Sequence, residues 1–373
     1  MSQEYEPVSE HAKQHRLERK KKLEEVRAEH GRLRNKKLLF LGGIVGAIFI
    51  AIGYIITLGP LEISFAQVYE TLFAKFVPSY FSMDEVFEQV VWNIRFPRIV
   101  GGLFAGFGFG ICGCVMQAVL KNPLASPFTL GISAGAHFGV SLAAVFGVAL
   151  IGGAYLLIAN AFIFAMLCSL FIVMLAALKG ATSETLILAG IAVNYLFSGL
   201  SQLMAYFAND EQLRLMTTWG MGDLSAFSWN KFLLFFVIFA ICTPLLLSKA
   251  QDLNLMTIGD DSAKSLGVDA DRVRMFTMMV SSLLVATIVC FTGTIGFIGL
   301  VAPHMARILI GADHRILIPA SGILGALLLV AADAVAMNII GPTIIPTGIM
   351  TSLLGVPFFL YLILKGKRKE FWQ

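Results

Sequence analysis

The stretch Gly102-Leu-Phe-Ala-Gly106-Phe-Gly-Phe-Gly110-Ile-Cys-Gly113 is uncharged and carries a glycine at every fourth position from Gly102 to Gly110. That spacing lets helices approach closely inside a bilayer. The run from Gly108 to Gly113 also matches GxGxxG, but a dinucleotide site requires a preceding strand and an acidic residue about 20 positions further on. The stretch therefore predicts a tightly packed membrane-spanning helix.

The overall composition extends this interpretation to the whole chain. Its 373 residues are 57% hydrophobic and only 14% charged, with a mean hydropathy of +0.79, whereas soluble domains carry about 25% charged residues. Residues 1–37 hold 11 of the 28 Lys and Arg and 7 of the 24 Asp and Glu, which leaves 17 of each sign in the remainder. A neutral, apolar body argues against a water-soluble enzyme and offers no basic face for nucleic acid.

Ten apolar stretches predict an all-α polytopic membrane protein, because a hydrocarbon core of about 30 Å takes about 20 helical residues to cross. The eighth stretch is too short to cross alone, and we predict a half-helix buried among its neighbours there. The predicted spans are 38–58, 95–120, 128–149, 152–178, 185–207, 231–248, 272–292, 299–312, 316–337 and 346–364.

Basic residues in short loops predict the orientation. If ten helices alternate, both tails, Lys121 and Lys179 fall on one side, and acidic residues such as Glu62 and Asp210 fall on the other. Both termini are therefore predicted to be cytoplasmic. The predicted regions are a charged tail at 1–37, a ten-helix domain at 38–365 with a cytoplasmic loop at 249–271, and a second tail at 366–373.

The cysteines and the phosphate-binding patterns mainly exclude functions. The sequence contains no CxxC pair, and we interpret the five cysteines as small buried hydrophobic residues. It also contains no GxxxxGK[ST] sequence, so it cannot cradle ATP phosphates in that way. If ATP drives its activity, the hydrolysing subunit is another polypeptide. The cysteines are Cys112, Cys114, Cys168, Cys242 and Cys290.

A few ionisable residues lie in or beside the apolar stretches. Asp333 lies within the ninth span, where a carboxylate costs about 2.5–3.5 kcal/mol and needs a partner. We interpret it as a structural hydrogen-bonding residue rather than a proton relay. His304, Asp313 and His314 cluster near the eighth stretch, but histidines ten residues apart do not follow the spacing of a metal-binding helix. A metal site there is the weaker hypothesis.

Two arginines open the second span on its predicted outer side, in Arg95-Phe-Pro97-Arg98. Pro97 suits the first turn of a helix, where its missing N–H is not needed. Arginines on the outer side oppose the inside bias of basic residues. They either extend to lipid headgroups or bind carboxylates of an external protein through their guanidinium groups.

The cytoplasmic stretch 256–269 predicts one short capped helix. Asp260 is placed to cap its start and Gly267 to end it, with Ala263 and Leu266 forming a small apolar stripe. The stretch is either a compact helix that a partner protein holds in a groove or an ordinary amphipathic loop helix.

These motifs closely resemble the FecCD family of ABC importer permeases, the membrane subunits that import iron–siderophore complexes, haem and cobalamin. The match is colinear from about residue 92 to the end. It is carried by Arg95-Phe-Pro97-Arg98, Gly113-x-x-Met116-Gln117, Asn122-Pro123-Leu124-Ala125-x-Pro127, Leu130-Gly131-Ile-Ser133, Ile258-Gly259, Ala263-x-Ser265-Leu266-Gly267, Gly293-x-Ile295-Gly296-Phe297-Ile298-Gly299-Leu300-Val301-x-Pro303-His304-x-x-Arg307, Asp313-His314-Arg315, Ala332-Asp333 and Pro346-x-Gly348-Ile349-x-Thr351.

The resemblance implies ten helices per subunit, a dimer of permeases around a central pathway, and two cytoplasmic ATPases that drive alternating access. ATP and Mg²⁺ are then bound by the ATPases, and this chain holds no cofactor, no metal and no catalytic residue. The implied partners are a second permease subunit (identical or paralogous), the two ATPases, an extracytoplasmic substrate-binding protein and membrane lipid. The implied location is the bacterial cytoplasmic membrane.

Position in the family pattern also implies roles for single residues. Met337 stands where some members carry an arginine that aids docking, so that role does not carry over. The implied roles are ATPase coupling for Gly259, Asp260, Ala263, Leu266 and Gly267, docking of the binding protein for Arg95 and Arg98, a cytoplasmic gate for Thr182 and Ser183, and structural polar contacts for Asn122 and Asp333.

The resemblance predicts the import of a metal chelate, with a siderophore ahead of haem and cobalamin. A pathway with few polar contacts leaves recognition of the cargo to the binding protein. Two other functions remain as alternatives: an ion-coupled secondary transporter that uses Asp333, and an intramembrane metalloenzyme that uses His304 and His314.

Overall fold

The computed structural model describes residues 50–58, 61, 63–77, 84–148, 155–179, 182–340 and 343–365, together with isolated positions between 19 and 47. Residues 1–49 group separately from residues 50–373, and the second group is described below. Apart from isolated positions, the predictions for the tails at 1–37 and 366–373 lie outside the described residues.

The described part of the chain is all-α and contains no strand. The described residues of each of the ten predicted spans include a helix, and six of these helices are long and apolar enough to cross a membrane. The predicted fold class is therefore confirmed. The helices are α1 (50–57), α2 (Phe65–Phe76), α3 (Glu85–Val119), α4 (Ile132–Phe146), α5 (Leu156–Lys179), α6 (Ser183–Phe207), α7 (Asp210–Gly220), α8 (Trp229–Ser248), α9 (Ala250–Ile258), α10 (Asp260–Ser265), α11 (Ala270–Thr292), α12 (Ile298–Ile310), α13 (His314–Asn338) and α14 (Thr347–Lys365).

The core forms around α3, which packs along most of α13. In the most apolar 18-residue stretches of α3 and α11, 78% of the residues are buried, whereas the corresponding stretches of α6 and α8 are 28% and 22% buried. Helices α3, α11 and α13 are therefore the interior of the subunit. Helices α6 and α8 lie at the surface of the subunit, because most of their residues are not buried within it.

Glycine makes the contact between α3 and α13 possible. A Cβ atom on Gly106 would overlap the backbone of Gly325, and one on Gly110 would overlap the carbonyl of Ser321. Gly113 makes a similar approach to Gly299 on α12. The glycine motif is thus a helix-packing motif, as the sequence predicts.

Helix α3 is longer than the predicted span 95–120. It begins at Glu85 and passes through a π-helical stretch at Glu88–Arg95, and its regular α-helical part begins at Phe96 with Pro97 in the first turn. Because a proline has no N–H to donate to the preceding turn, the regular i to i−4 hydrogen bonding is interrupted at Pro97. The chain before it is π-helical, a form found at interruptions and kinks within α-helices. The predicted start of the regular α-helix near Arg95 is therefore confirmed, but its continuation back to Glu85 was not predicted.

The predicted half-helix is confirmed. Helix α12 has 13 residues, about 20 Å at 1.5 Å per residue, which is less than the bilayer core. Residues 293–297 precede it as irregular chain in which Gly293 and Phe297 have positive φ angles. This segment contacts the end of α7, where Thr294 Oγ1 donates to Gly220 O, and the start of α14, where a Cβ atom on Gly348 would lie 2.7 Å from Thr294 O.

Three further features differ from the prediction. The third span begins only at Ile132, because Pro127–Leu130 form a 3₁₀ turn that ends at Gly131 with φ +71°. Helices α2 and α7 were not predicted, although each starts with a capping box, Ser64 with Gln67 and Asn209 with Gln212. That pairing satisfies two free N–H groups at a helix start and was the available signal.

Candidate functional site

A buried ion pair links α3 to α13. Arg98 donates to Asp333 twice, from Nε to Oδ2 at 2.8 Å and from Nη2 to Oδ1 at 2.8 Å. Arg98 is 5% exposed and Asp333 1% exposed. The partner that the sequence requires for Asp333 is therefore Arg98, held in a bidentate arrangement that is among the strongest hydrogen-bonded geometries in proteins.

Two more residues complete this ion-pair cluster. Thr347 Oγ1, at the start of α14, donates to Asp333 Oδ1 at 2.5 Å. Asp223 Oδ1 lies 3.2 Å from Arg98 Nη2 and has a side chain 37% exposed. The cluster thus connects α3, α13, α14 and the turn after α7, and Asp223 is its most exposed member.

Arg95 is also buried, at 7% exposure. Its guanidinium donates to the carbonyl of Ile56 at 2.6 Å and to that of Leu61 at 2.7 Å, so it fixes the end of α1. The sequence placed Arg95 and Arg98 at an exposed helix start. Because α3 extends ten residues further, both guanidinium groups lie inside the bundle and bind partners within the chain.

At the opposite end of α3, Asn122 forms the turn that follows the helix. Its Oδ1 accepts from Leu124 N at 2.9 Å, and its carbonyl accepts from Ala125 N at 3.0 Å. Lys121 adopts a positive φ of 47° just before it. Asn122 is thus a turn residue at the end of α3 rather than a polar residue within a span.

A sharp corner joins α9 to α10. Gly259 has φ +136° and ψ +150°, which is accessible only to glycine. The chain returns from α10 through Gly267 at φ +87°, while Val268 N donates to Ala263 O at 2.9 Å. The predicted short helix is α10, which ends before Gly267 as predicted, but its N-cap is Gly259 rather than Asp260, and the stretch also contains the end of α9.

Asp260 instead holds the corner against the bundle. Its two carboxylate oxygens lie 2.9 Å from Lys121 Nζ and 3.0 Å from Arg274 Nη2. Partial burial raises the pKa of Asp260, but the hydrogen bonds and charges of Lys121 and Arg274 outweigh it, so its pKa lies below the ordinary carboxyl value. Arg274 is itself buried and also donates to Val119 O at 3.3 Å. The α9–α10 corner is thus tied to α3 and α11.

Ala263 and Leu266 face opposite ways. Ala263 is fully buried, whereas Leu266 is 62% exposed and Ile258 is 68% exposed. The predicted apolar stripe is therefore wrong, since Ala263 anchors the helix and Leu266 points away. What the corner presents outward is a pair of apolar side chains, Ile258 and Leu266, that no described residue covers.

Helix α9 is anchored by α13. Asn254 Nδ2 donates to Asp313 Oδ1 at 2.8 Å, and Asn254 Oδ1 accepts from His314 N at 2.9 Å and lies 2.8 Å from His314 Nδ1. Asp313 and His314 therefore have structural contacts at this end of α13. Among the described residues, no three His, Cys, Asp or Glu side chains lie close enough together to hold a metal ion.

Thr182 and Ser183 begin α6. Thr182 Oγ1 accepts from Thr185 N at 3.3 Å and lies 2.9 Å from Thr185 Oγ1, which makes Thr182 the N-cap. The structure thus places the two predicted gate residues at the start of the fifth span, in a position where a hydroxyl has a local structural role.

A polar groove runs along α4, α6 and α7 and continues to the irregular segment 293–297. It consists of three cavities of about 540, 290 and 280 Å³, which share residues at their borders. Ser133 and Thr294 line the first and second, and His137 and Ser198 line the second and third. The other polar residues of the groove are Asn194, Ser201, Gln202, Thr217 and Ser352.

This polar groove was not predicted from the sequence, although a signal was present. Asn194, Ser198, Ser201 and Gln202 follow the i, i+4, i+7, i+8 spacing that places residues on one face of a helix. Because α6 is otherwise apolar, that polar stripe indicates a surface in contact with something other than lipid.

The comparisons with known proteins agree with this architecture. The model of the FecCD transport family matches residues 44–365. An ABC transporter permease protein of Methanocaldococcus jannaschii is 41% identical, over 88% of this chain and 95% of the relative. The hemin transport system permease HmuU of Yersinia pestis is 35% identical, over 83% of this chain and 91% of the relative.

The fold has a solved counterpart. An inward-facing metal-chelate type ABC transporter matches with a TM-score of 0.77 and 33% identity, over 88% of this chain and 99% of the other. Further relatives are named for the import of molybdate, Fe(3+)-citrate and cobalamin. With the family pattern matched across nearly all of the membrane domain, the chain belongs to the FecCD transport family of ABC permeases.

Proposed function

We propose that this chain is the membrane subunit of an importer for a metal chelate, with an iron–siderophore complex as first candidate and haem or cobalamin next. Membership of the FecCD family supports import by an ABC permease. The relatives named for hemin, Fe(3+)-citrate and cobalamin support a metal-chelate cargo. The chain acts in the cytoplasmic membrane, with both termini cytoplasmic.

The observation that carries the coupling role is the α9–α10 corner. It presents Ile258 and Leu266 outward, while Asp260, paired with Lys121 and Arg274, ties it to the ends of α3 and α11. A force on the corner is therefore transmitted into the two most buried helices. A partner ATPase, which holds ATP and Mg²⁺, grips this corner, and two such ATPases serve a pair of permease subunits.

The opposite end receives the substrate-binding protein. Direct docking by Arg95 and Arg98 requires both to leave their internal contacts, so they shape this end from within. Asp223 is the exposed member of the ion-pair cluster there. At the ATPase end, Thr182 and Ser183 start α6 and form the gate, where small hydroxyls pack closely without holding cargo.

The test is a matched pair of surface variants in the assembled importer. Leu266→Ser removes an exposed apolar side chain from the corner, and Ile340→Ser removes one of similar exposure, 60%, after α13. We expect Leu266→Ser alone to reduce both the stimulation of ATP hydrolysis and ATP-dependent uptake into proteoliposomes. Equal activity of the two variants contradicts the coupling role.

The same preparation tests the ion-coupled alternative. Asp333 is engaged by Arg98 and Thr347, which leaves it poorly placed to load and release a proton. We expect no uptake when a proton gradient is imposed without the ATPase. Uptake under that condition contradicts the importer assignment and supports a secondary transporter.

A further inference from the structure

The polar groove contains a set of hydrogen-bonding groups without a charge. Its lining offers hydroxyls, amides and the imidazole of His137, and among the described residues no Asp, Glu, Lys or Arg lines any of its three cavities. Several of these groups are already engaged, such as Asn194 Nδ2 with Phe128 O at 3.2 Å and Ser201 Oγ with Phe197 O at 2.8 Å.

Three polar side chains of the groove remain open. Within the described part of the chain, Ser133, Ser198 and Gln202 make no hydrogen bond, and Ser198 and Gln202 are exposed on α6. Unpaired polar groups are costly in hydrocarbon. This face of α6 therefore contacts water, cargo or another protein rather than lipid.

The irregular segment 293–297 points to a water-filled cavity. Non-helical backbone at membrane depth is tolerated only where it is buried in protein or lines an aqueous cavity, and interrupted helices mark binding sites in many transporters. Here Thr294 Oγ1 donates to the carbonyl of Gly220, and Thr294 and Gly296 line the largest cavity of the groove. Gly348, at the start of α14, lines the same cavity.

We infer that the polar groove is a cargo-contact site which binds the hydrogen-bonding surface of an uncharged chelate. The inference rests on the proposed import function and adds a chemical class of cargo to it. Ser198 and Gln202 supply the contacts, and the lack of a cation among the described lining residues disfavours a bare oxyanion, which proteins bind with arginine, lysine or helix N-termini. Recognition is then shared between the permease and its binding protein, contrary to the expectation of a pathway with few polar contacts.

The test uses the full chain in lipid nanodiscs and a neutral ferric trihydroxamate as probe. Trp219 reports on the groove because its ring lies 6.1 Å from that of His137, and bound iron quenches tryptophan fluorescence. Trp219→Phe assigns the signal. The variant Ser198→Ala with Gln202→Ala removes the open groups, and Ser248→Ala with Gln89→Ala removes the same two residue types at exposed positions on other helices.

We expect the chelate to quench the tryptophan fluorescence of the wild type. The groove variant is expected to bind the chelate about tenfold more weakly, because two hydrogen bonds are lost. The control variant is expected to bind it as the wild type does. Excess molybdate is expected not to displace the chelate. The inference is overturned if the wild type shows no quenching, if the groove variant binds as well as the control, or if molybdate competes.

Two further measurements distinguish a cargo site from a subunit interface and from the import function itself. If the groove variant changes the stability of a permease dimer but not quenching, the groove is a subunit interface and the cargo site is refuted. ATP-driven uptake by the assembled wild-type importer tests the proposed function by itself. If the wild-type importer shows ATP-driven uptake and the groove variant binds the chelate as well as the control variant does, the cargo site is refuted and the importer assignment stands.

Discussion

Arg98 and Asp333 lie 235 positions apart in the chain and meet through two 2.8 Å hydrogen bonds across the contact between α3 and α13. The contact is close because glycines line it, and it excludes water from both charges. Such a pair adds little net stability over an apolar pair, but it is costly to break on one side only. The Arg98–Asp333 pair therefore fixes how α3 and α13 are aligned.

Removal of one partner tests that role. Arg98→Met leaves the Asp333 carboxylate in the interior, and we expect the free energy of unfolding to fall by about 3–5 kcal/mol. Arg98→Met combined with Asp333→Leu is expected to cost less than either single change, because no unpaired charge remains. Thermal and denaturant unfolding of the purified chain in detergent measure both.

An exposed arginine provides the control. Arg272 pairs with Asp269 at 3.0 Å, but its side chain is 85% exposed, so Arg272→Met is expected to change stability by at most about 1 kcal/mol. If Arg98→Met is equally mild and instead weakens binding of the substrate-binding protein, the docking role predicted from the sequence is right and the structural role is wrong.

The order of the helices could be predicted from the sequence because hydrophobicity is a local property. In the part of the chain that the structure describes, each of the ten apolar stretches contains a helix, and the short stretch at 299–312 coincides with the half-helix α12. The fourfold spacing of Gly102, Gly106 and Gly110 also predicted a packing face, since glycine at that spacing is typical of close helix contacts in membranes.

Partners distant in sequence could not be predicted in the same way. The sequence required a partner for Asp333, but the choice of Arg98 depends on how α3 and α13 align. Arg95 and Arg98 were placed at an exposed end because nothing in 85–94 marks a helix as clearly as Pro97 marks a start. Leu266 and Ala263 were assigned to one face from their i, i+3 spacing, but α10 ends at Ser265 and Leu266 lies beyond it.

The glycine contact predicts a steep cost for a single methyl group. Gly110→Ala places a Cβ against the carbonyl of Ser321 on α13, and a backbone atom cannot move aside as a side chain can. We expect a loss of about 1–3 kcal/mol or more in unfolding free energy, measured by thermal unfolding of the purified chain.

Gly199→Ala is the matched control. A Cβ on Gly199 has nothing within 4 Å, and the residue lies within α6, so we expect no loss and a gain of up to about 1 kcal/mol from helix propensity. Equal stability of the two variants contradicts the close approach of α3 and α13.

The corner at Gly259 predicts a local effect with a functional consequence. A Cβ there has ample space, but φ +136° is strained for any other residue, at a cost of about 1–3 kcal/mol. We expect Gly259→Ala to increase protease sensitivity between α9 and α10 and to lower ATPase stimulation, with global unfolding little changed. Ser262→Ala, one turn further along α10, is expected to behave as the wild type, and equal effects of both variants contradict a special role for Gly259.

The ion pairs of Asp260 predict how the corner responds to acid. Because Lys121 and Arg274 hold its pKa below the ordinary value of 3.8, the stabilisation is fully present above that value and is lost as the pH falls through the lowered pKa. We therefore expect thermal stability to be flat from neutral pH to about pH 5 in this respect, and Asp260→Asn to remove part of the decline at lower pH. Asp261→Asn, which changes the adjacent exposed carboxylate, controls for net charge. An acid decline that is the same in Asp260→Asn as in the wild type refutes the anchoring role.

At neutral pH, Asp260→Asn also separates attachment of the corner from its contact with the ATPase. Loss of the anchor frees the corner from α3 and α11, while Ile258 and Leu266 remain available. The expected result is therefore an ATPase that still binds but no longer drives uptake.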